Sequence, residues 1–264
     1  MRALSTFLLL FVVFTSFAAA QGDIANWRKD LLADPLLARV EQKAQLKKYD
    51  LGSLWIADDN STVFGFIGKN HQRIRVKLIS AETSRANSFV YNVAGASLVG
   101  ETFRTFKGTV SVASVHFYRS IEPELAAEQH VKKRGILLAD YRFVEEGADP
   151  HTGVFTGTLF TAFYIDDAAK IRYDDIEDGA DGFRNNQFAG RWRSLDGKMD
   201  LECNWGDSRI PLSGDLDIGD GEFSPNPKYF KNGWQGFHDA YINQDAEAIK
   251  QEQRVWWANA VPKQ

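Results

Sequence analysis

A single cysteine, Cys203, rules out an internal disulfide framework. A chain of 264 residues does not need one, because a domain of that size buries enough surface to hold together without cross-links. Free cysteine is among the most buried residue types, so Cys203 is expected in the core and not as a nucleophile. A Cys-His pair would have to recruit His71, His116, His130, His151 or His238, and none of these sits in a catalytic motif. The five histidines also lack zinc-ligand spacing. Charge of one sign is scarce too. The 31 Lys and Arg against 35 Asp and Glu leave −4, which gives no support for nucleic-acid or anionic-membrane partners. No Gly-rich phosphate loop with its Lys and following helix occurs; "GDGEF" lacks both.

Beyond the first twenty residues no run is apolar enough to span a bilayer as a helix. Those twenty form a pattern of their own. Arg2 supplies a positive start, Leu4 to Phe17 is almost wholly apolar, and Ala18-Ala19-Ala20 provides small residues before Gln21. This predicts a secretory signal peptide over residues 1–20, cleaved near Ala20, and a secreted or periplasmic mature protein. The apolar run is too short for a membrane anchor.

Residues 21–50 read as a helical arm. Asp34-Pro35 has the form of an N-cap with Pro at the first helical position. Leu36, Leu37, Val40 and Ala44 would then share one face. Residues 51–264 read as a β domain ending in a C-terminal helix. "RIRVKL" alternates Ile74, Val76 and Leu78 against Arg73, Arg75 and Lys77, the latter a solvated basic face. "TVSVASVHFY" changes its apolar face between Val112 and Val115, which predicts a bulge near Ala113 or Ser114. "GILLADYRF" puts Leu137, Ala139, Tyr141 and Phe143 on one side, and "GVFTGTLFTAFYI" is a long strand with a glycine kink at Gly157. Phe-x-Gly recurs at Phe106, Phe155 and Phe188 as similar strand starts, without a fixed period. Short helices are expected over 122–133 and 245–257. The fold class is therefore mainly β, as a single antiparallel β-barrel or two-sheet sandwich with N- and C-terminal helices.

Two acidic stretches carry the candidate chemistry. "YDDIEDGADGF" contains Asp174, Asp175, Glu177, Asp178 and Asp181; "LSGDLDIGDGEF" contains Asp215, Asp217, Asp220 and Glu222. Both fail the EF-hand template, because Asn185 falls at the twelfth position of the first and Gly219 at the fifth of the second. Calcium needs only six to eight oxygens on a flexible frame, so Asp215, Asp217, Asp220 and Glu222 are the metal-ligand candidates and Ca²⁺ the expected ion; no cofactor is otherwise required. An exposed loop, or neutralisation by Arg184, Arg191 or Arg209, is the alternative. Leu216 and Ile218 would anchor the segment to the core.

The stretches "GFIGKNHQRIRV", "YDDIEDGADGFRNNQFAGRW" and "CNWGDSRIPLSGDLDIGDGEFSPNPKY" resemble a set of exported bacterial proteins of unknown function. That resemblance implies export, a bacterial source and one domain, and carries no site residue with it. Gly190-Arg191-Trp192 is similar to the lipocalin Gly-x-Trp pattern, which lipocalins bear on their first strand; here it lies late in the chain. Two functions follow as expectations. The first is an exported non-enzymatic β protein that binds a small molecule or glycan through Trp192, Trp205 and Arg209, or has a structural role in the cell envelope. The alternative is a carbohydrate-active hydrolase with carboxyls drawn from Asp175, Asp178, Asp217 and Glu222, and Trp192, Trp205 and Trp234 as sugar platforms. The two readings separate on placement: acidic and aromatic candidates lining one cleft would favour the hydrolase, whereas buried Trp192 and Trp205 with the aspartates scattered over the rim would favour the binding or structural reading.

Overall fold

The computed structural model describes residues 22–56, 60–147, 149 and 151–260. The expected signal peptide lies outside the described residues. The chain is mainly β, with 43% strand and 20% helix. Nine strands form one antiparallel sheet: β1 (Val63–Ile67), β2 (Gln72–Ser84), β3 (Asn87–Val99), β4 (Thr102–Phe117), β5 (Val131–Glu145), β6 (Gly153–Asp166), β7 (Ile171–Tyr173), β8 (Asn185–Ser194) and β9 (Asp200–Asp207). Their order is β5-β4-β3-β2-β1-β9-β8-β6-β7, and β5 also pairs with β6, so the sheet closes into a ring. Closure removes the unpaired edges that an open sheet would present. The long strands β2 to β6 run as consecutive hairpins, as their alternating patterns require.

The inward-facing side chains fill the ring. Ile74, Val76, Tyr91, Phe106, Leu137, Tyr141, Phe143, Phe155, Leu159, Phe163, Phe188, Trp192, Cys203 and Trp205 belong to one buried cluster. Its rings meet edge to face or stacked, as between Phe188 and Trp205 at 4.6 Å and Phe106 and Phe143 at 5.0 Å. The expected bulge in β4 is present, as a register shift between Val112 and Ser114 against β5. It returns Val115 and Phe117 to the side already occupied by Val110 and Val112, so all four are buried. Gly157 and Gly190 pair across β6 and β8. The Tyr141 hydroxyl lies 2.8 Å and 2.3 Å from where their Cβ atoms would stand. The glycines make room for that ring. All three Phe-x-Gly glycines lie within strands β4, β6 and β8, each preceded by a core phenylalanine.

The N-terminal arm differs from its local signals. Helix α1 covers residues 22–31, and the chain from Asp34 makes a turn and then an isolated bridge at Leu37 rather than a helix. Asp34 Oδ1 does accept from the Leu36 N–H at 2.8 Å, but no helix follows. Instead Leu37 bridges Tyr118, the Ala38 N–H donates to the Phe117 carbonyl and the Gln42 N–H to that of Val115. Backbone pairing along the end of β4 therefore overrides the helix pattern. Leu37 is buried beside Ile136, Leu138 and Phe160, with Trp27, Leu31 and Leu32 of the arm packed against them, while Leu36 and Val40 are exposed. His116 bonds the Ala38 carbonyl through Nδ1 at 2.9 Å and is structural. Leu46, Leu51 and Leu54, on and beside two 3-10 turns (Lys43–Leu46 and Gly52–Leu54), then enter the ring's core.

Helix α2 (Pro123–Glu128) is shorter than expected, because β5 already begins at Val131. The C-terminal segment forms α3 (Gln235–Tyr241) and α4 (Ala246–Glu252), the latter capped by the Asp245 side chain and ending before Trp256. These helices cover the outer face of β1 and β2. The basic face of β2 is accordingly not solvated. Arg73 makes a two-pronged pair with Glu252 at 2.9 and 2.6 Å, Arg75 adds a third bond at 2.8 Å, and the Lys77 ammonium lies 5.0 Å from the Trp257 ring. The Arg73 guanidinium also stands 5.3 Å from the Trp234 ring. Burial and the Arg73 charge push Arg75 down to about 10. Glu252 stays ionised to lower pH than an ordinary glutamate: burial opposes this, and its bonds to Arg73 and the charges of Arg73 and Arg75 outweigh burial.

Candidate functional site

Outside the ring, β1 turns Phe64 and Phe66 toward the C-terminal segment. There they join Ile210, Leu216, Phe223, Trp234 and Phe237 in a second buried cluster. Phe64, Phe223 and Phe237 contact one another pairwise at 4.9 to 5.2 Å between ring centres. They lie behind a cleft of about 300 Å³ with only 9%, 4% and 3% of their surface exposed, and Phe183, Tyr241 and Ile242 are its more open apolar lining. That volume is at the lower bound of small-molecule sites. Tyr241 and Ile242 extend the apolar wall from α3, and Ser61, Thr62 and Ser208 contribute hydroxyls from the residues flanking β1 and β9. The Ser208 N–H bonds the Thr62 carbonyl at 2.8 Å, which ties these two segments together.

The two acidic stretches meet here. The Gly182 N–H donates to the Gly221 carbonyl at 2.9 Å. Asp178 from the first stretch and Glu222 from the second both line the cleft, and both are exposed. The rest of the first stretch is held elsewhere: Asp174 is buried against Arg134 Nε at 2.5 Å, and Glu177 takes Arg134 Nη2 at 2.6 Å. Two hydrogen bonds and two nearby carboxylates hold the Arg134 guanidinium charged more firmly than usual, against its desolvation.

The second stretch is wound around Arg209. Nη1 donates to Asp217 Oδ2 at 2.5 Å and to the Gly219 carbonyl at 3.0 Å; Nη2 donates to the Asp220 and Gly221 carbonyls at 3.0 and 2.6 Å. Asp217 Oδ1 accepts the Gly219 and Ser224 N–H groups. The loop carbonyls do turn inward, as a cation site would need, and the cation they surround is a guanidinium. Asp215 faces away from this centre, toward the Lys228 ammonium and the Tyr229 hydroxyl, whose hydrogen bonds hold its carboxyl below the usual carboxylate range. Leu216 anchors the segment to the core; Ile218, expected to share that task, is half exposed. Asp215, Asp217, Asp220 and Glu222 are thus not gathered at one point. Among the described residues no three His, Cys, Asp or Glu side chains group as metal ligands.

The aromatic candidates also sit differently from a surface platform. Trp192 and Trp205 lie in the ring's core, and Trp192 Nε1 donates to Glu145 Oε2 at 2.9 Å. Trp234 is fully buried beneath Phe223 and donates its Nε1–H to the His71 carbonyl. None of the three offers a ring to a sugar. Arg209 does line the cleft, with its donors committed to the loop. Cys203 is fully buried, and burial together with the charge of Glu145 and Glu202 pushes its thiol well up, so it is not a ready thiolate. The residues that define the cleft, Phe64, Phe237, Tyr241 and Ser208, carry no local signal, since each is ordinary in its own stretch and becomes informative only beside the others.

A second polar cluster closes one end of the ring. Asp207 accepts the Tyr173 hydroxyl at 2.8 Å. Asn186, at φ +41°, donates to the Leu54 carbonyl and accepts from Thr161, which in turn accepts the Trp55 indole N–H. Of these, Asp207, Asn186 and Trp55 line with Lys77 a space of about 30 Å³, room for a water and not for a sugar. Burial pushes Asp207 up to about 6, against the opposing effect of its hydrogen bonds and of Lys77.

The fold and site define an antiparallel β ring, filled by its own side chains, that carries a polar-rimmed aromatic cleft on its outer face. No family model, curated protein or solved structure matches the chain.

Proposed function

We propose that this is an exported, non-enzymatic binding protein whose ring acts as a solid β-barrel scaffold and whose ligand, a small molecule or glycan, occupies the cleft beside β1. The observation that carries the reading is a cleft of about 300 Å³ outside the ring, lined by polar groups with Phe183, Tyr241 and Ile242, while Trp192 and Trp205 are buried inside the ring and Asp175 and Asp217 do not line the cleft. The ring interior supports it by exclusion: it is occupied by Tyr141, Phe143, Phe188 and Trp205, so a ligand has to be held outside. An apolar wall with a few convergent polar groups is the usual make-up of such sites. Ala180 lines the cleft and is exposed, so Ala180→Trp blocks it without disturbing the core. Titration of wild type and Ala180→Trp with a panel of mono- to tetrasaccharides and small aromatic compounds tests the proposal. A compound that binds wild type and is lost in the variant supports it; binding unchanged in the variant puts the ligand site elsewhere.

The placement of Asp178 and Glu222 on the same cleft favours one second reading, a carbohydrate-active hydrolase. Turnover of aryl glycosides, abolished by Glu222→Gln, would establish it over simple binding.

A further inference from the structure

A groove of about 610 Å³ lies where the arm after Pro35 runs along the end of β4 and the chain passes through α2 into β5. It falls within the size range of small-molecule sites and shares no residue with the cleft beside β1. Arg119, Lys132 and Lys133 line it, and among the described residues no carboxylate does. Each cation rests on a neutral acceptor. Arg119 donates to the Pro35 carbonyl, Lys132 to the Asp167 carbonyl at 2.6 Å and Lys133 to Gln45 Oε1 at 2.8 Å. The Asp167 carboxylate faces His130 instead, at 3.2 Å. Glu122, Glu124 and Glu128 are exposed and outside the lining. A neutral acceptor orients a cation without cancelling its charge.

The backbone builds this arrangement. Successive strand residues face opposite ways, yet Lys132 and Lys133 both line the groove. A register shift between Val131 and Lys133 against β6 accounts for it, since a bulge leaves one residue out of the ladder and re-aims its side chain. Most of the remaining lining is apolar. Ala38, Tyr118, Ile121 and Ala126 are half-buried, with Phe117 and Val131 buried behind them. Helix α2 supplies Ala126 to this wall and buries no side chain of its own.

We propose that this groove is a second ligand site, for a monomeric organic anion with an apolar body, such as a medium-chain carboxylate. The carboxylate takes charge-assisted hydrogen bonds from Lys132, Lys133 and Arg119, and the chain covers Tyr118, Ile121 and Ala126. Lysine suits the task, because its ammonium turns three donors on a flexible stem and can exchange a neutral oxygen for a charged one. An inorganic anion would leave the apolar lining unused. The site is independent of the cleft beside β1.

Decanoate against decanol and acetate tests this, each kept below the concentration at which it aggregates. Calorimetric titration into the full protein at low and high salt is the readout. Decanoate is expected to bind roughly tenfold more tightly than either at low salt, its lead over decanol shrinking as salt rises. Lys132→Gln/Lys133→Gln should remove that lead. Both side chains are exposed, so the variant is expected to fold, and its thermal unfolding checks this. Ala126→Trp should weaken decanoate, whereas Ala180→Trp, which blocks the other cleft, should leave it unchanged. Equal binding of decanoate and decanol, or of decanoate and acetate, overturns the proposal. So does no binding of decanoate, or binding lost in Ala180→Trp and kept in Ala126→Trp. Capture by phosphatidylglycerol vesicles without decanoate binding assigns the cations to a membrane surface and also overturns it.

Discussion

Asp207 gives a prediction whose sign and size both follow from its surroundings. It is buried at the end of β9, bonded by Tyr173 and close to Lys77, and burial dominates, raising it to about 6. In the unfolded chain an aspartate titrates near 3.9. Below about pH 4 the group is protonated in both states and contributes nothing to the pH dependence. Between about pH 4 and pH 6 the unfolded chain ionises while the native state keeps its proton, so stability falls as pH rises. Above about pH 6 both are ionised and the loss is complete. Two pKa units correspond to about 2–3 kcal/mol. Asp207→Asn removes the titration and keeps an oxygen for the Tyr173 hydroxyl. Relative to wild type, the variant should therefore gain about 2–3 kcal/mol between pH 4 and pH 8, which is several degrees in Tm for a domain of this size. Taking the difference between the two proteins matters. His71, held down by burial, and Glu252, held down by Arg73, both cost stability as pH falls and mask the slope in wild type alone. Urea denaturation of both proteins across this range is the assay. A difference that is constant with pH, or one that favours wild type at high pH, would refute the reasoning.

Four further outcomes are expected. Gly190→Ala should destabilise by about 1–3 kcal/mol in chemical denaturation, because a Cβ there would stand 2.3 Å from both the Thr156 carbonyl and the Tyr141 hydroxyl; a neutral effect would mean that Tyr141 is free to move. Arg209→Gln should cost about 3 kcal/mol by leaving Asp217 buried without its cation, and should speed hydrogen exchange at Gly219 and Ser224, whose N–H groups bond that carboxylate; unchanged exchange there would show that the loop holds itself. Millimolar calcium against a chelator should leave Tm unmoved, since Arg209 and Lys228 already engage Asp217 and Asp215; a shift of several degrees that Asp217→Asn removes would show that the ion displaces Arg209. Mass analysis of exported protein should show a chain starting at Gln21, and one starting at Met1 would defeat the export reading.

The strands were legible because their signals are local. Ile74, Val76 and Leu78 alternate with polar residues over a single stretch, and the change of face between Val112 and Val115 marked the bulge without knowledge of any partner strand. Leu137, Tyr141, Phe143, Phe155, Leu159 and Phe163 were recognisable as core for the same reason. That the acidic loop's crowded charges require water, an arginine or a bound cation was legible too. Which cation supplies it was not, since the choice of Arg209 over a metal depends on where β9 ends relative to the loop. Alternation states that two faces differ and leaves open what covers the second. Arg73, Arg75 and Lys77 look like a solvated edge until α4 and Trp257 arrive from more than 170 residues away in sequence. Trp192 and Trp205 could stand as platforms or in the core, the latter being the commoner place for Trp in β proteins, and ring closure by β5 and β6 put them inside. Asp34-Pro35 carried a sound helix start, overruled by hydrogen bonds to the end of β4 that local propensity, worth a few tenths of a kcal/mol per residue, does not outweigh. The sequence by itself thus determined the long strands β2 to β6, the core residues they carry and the crowding of carboxylates in the loop. Only the tertiary structure decided the closure, the cover over β2 and the cleft, because each depends on contacts between residues far apart in the chain.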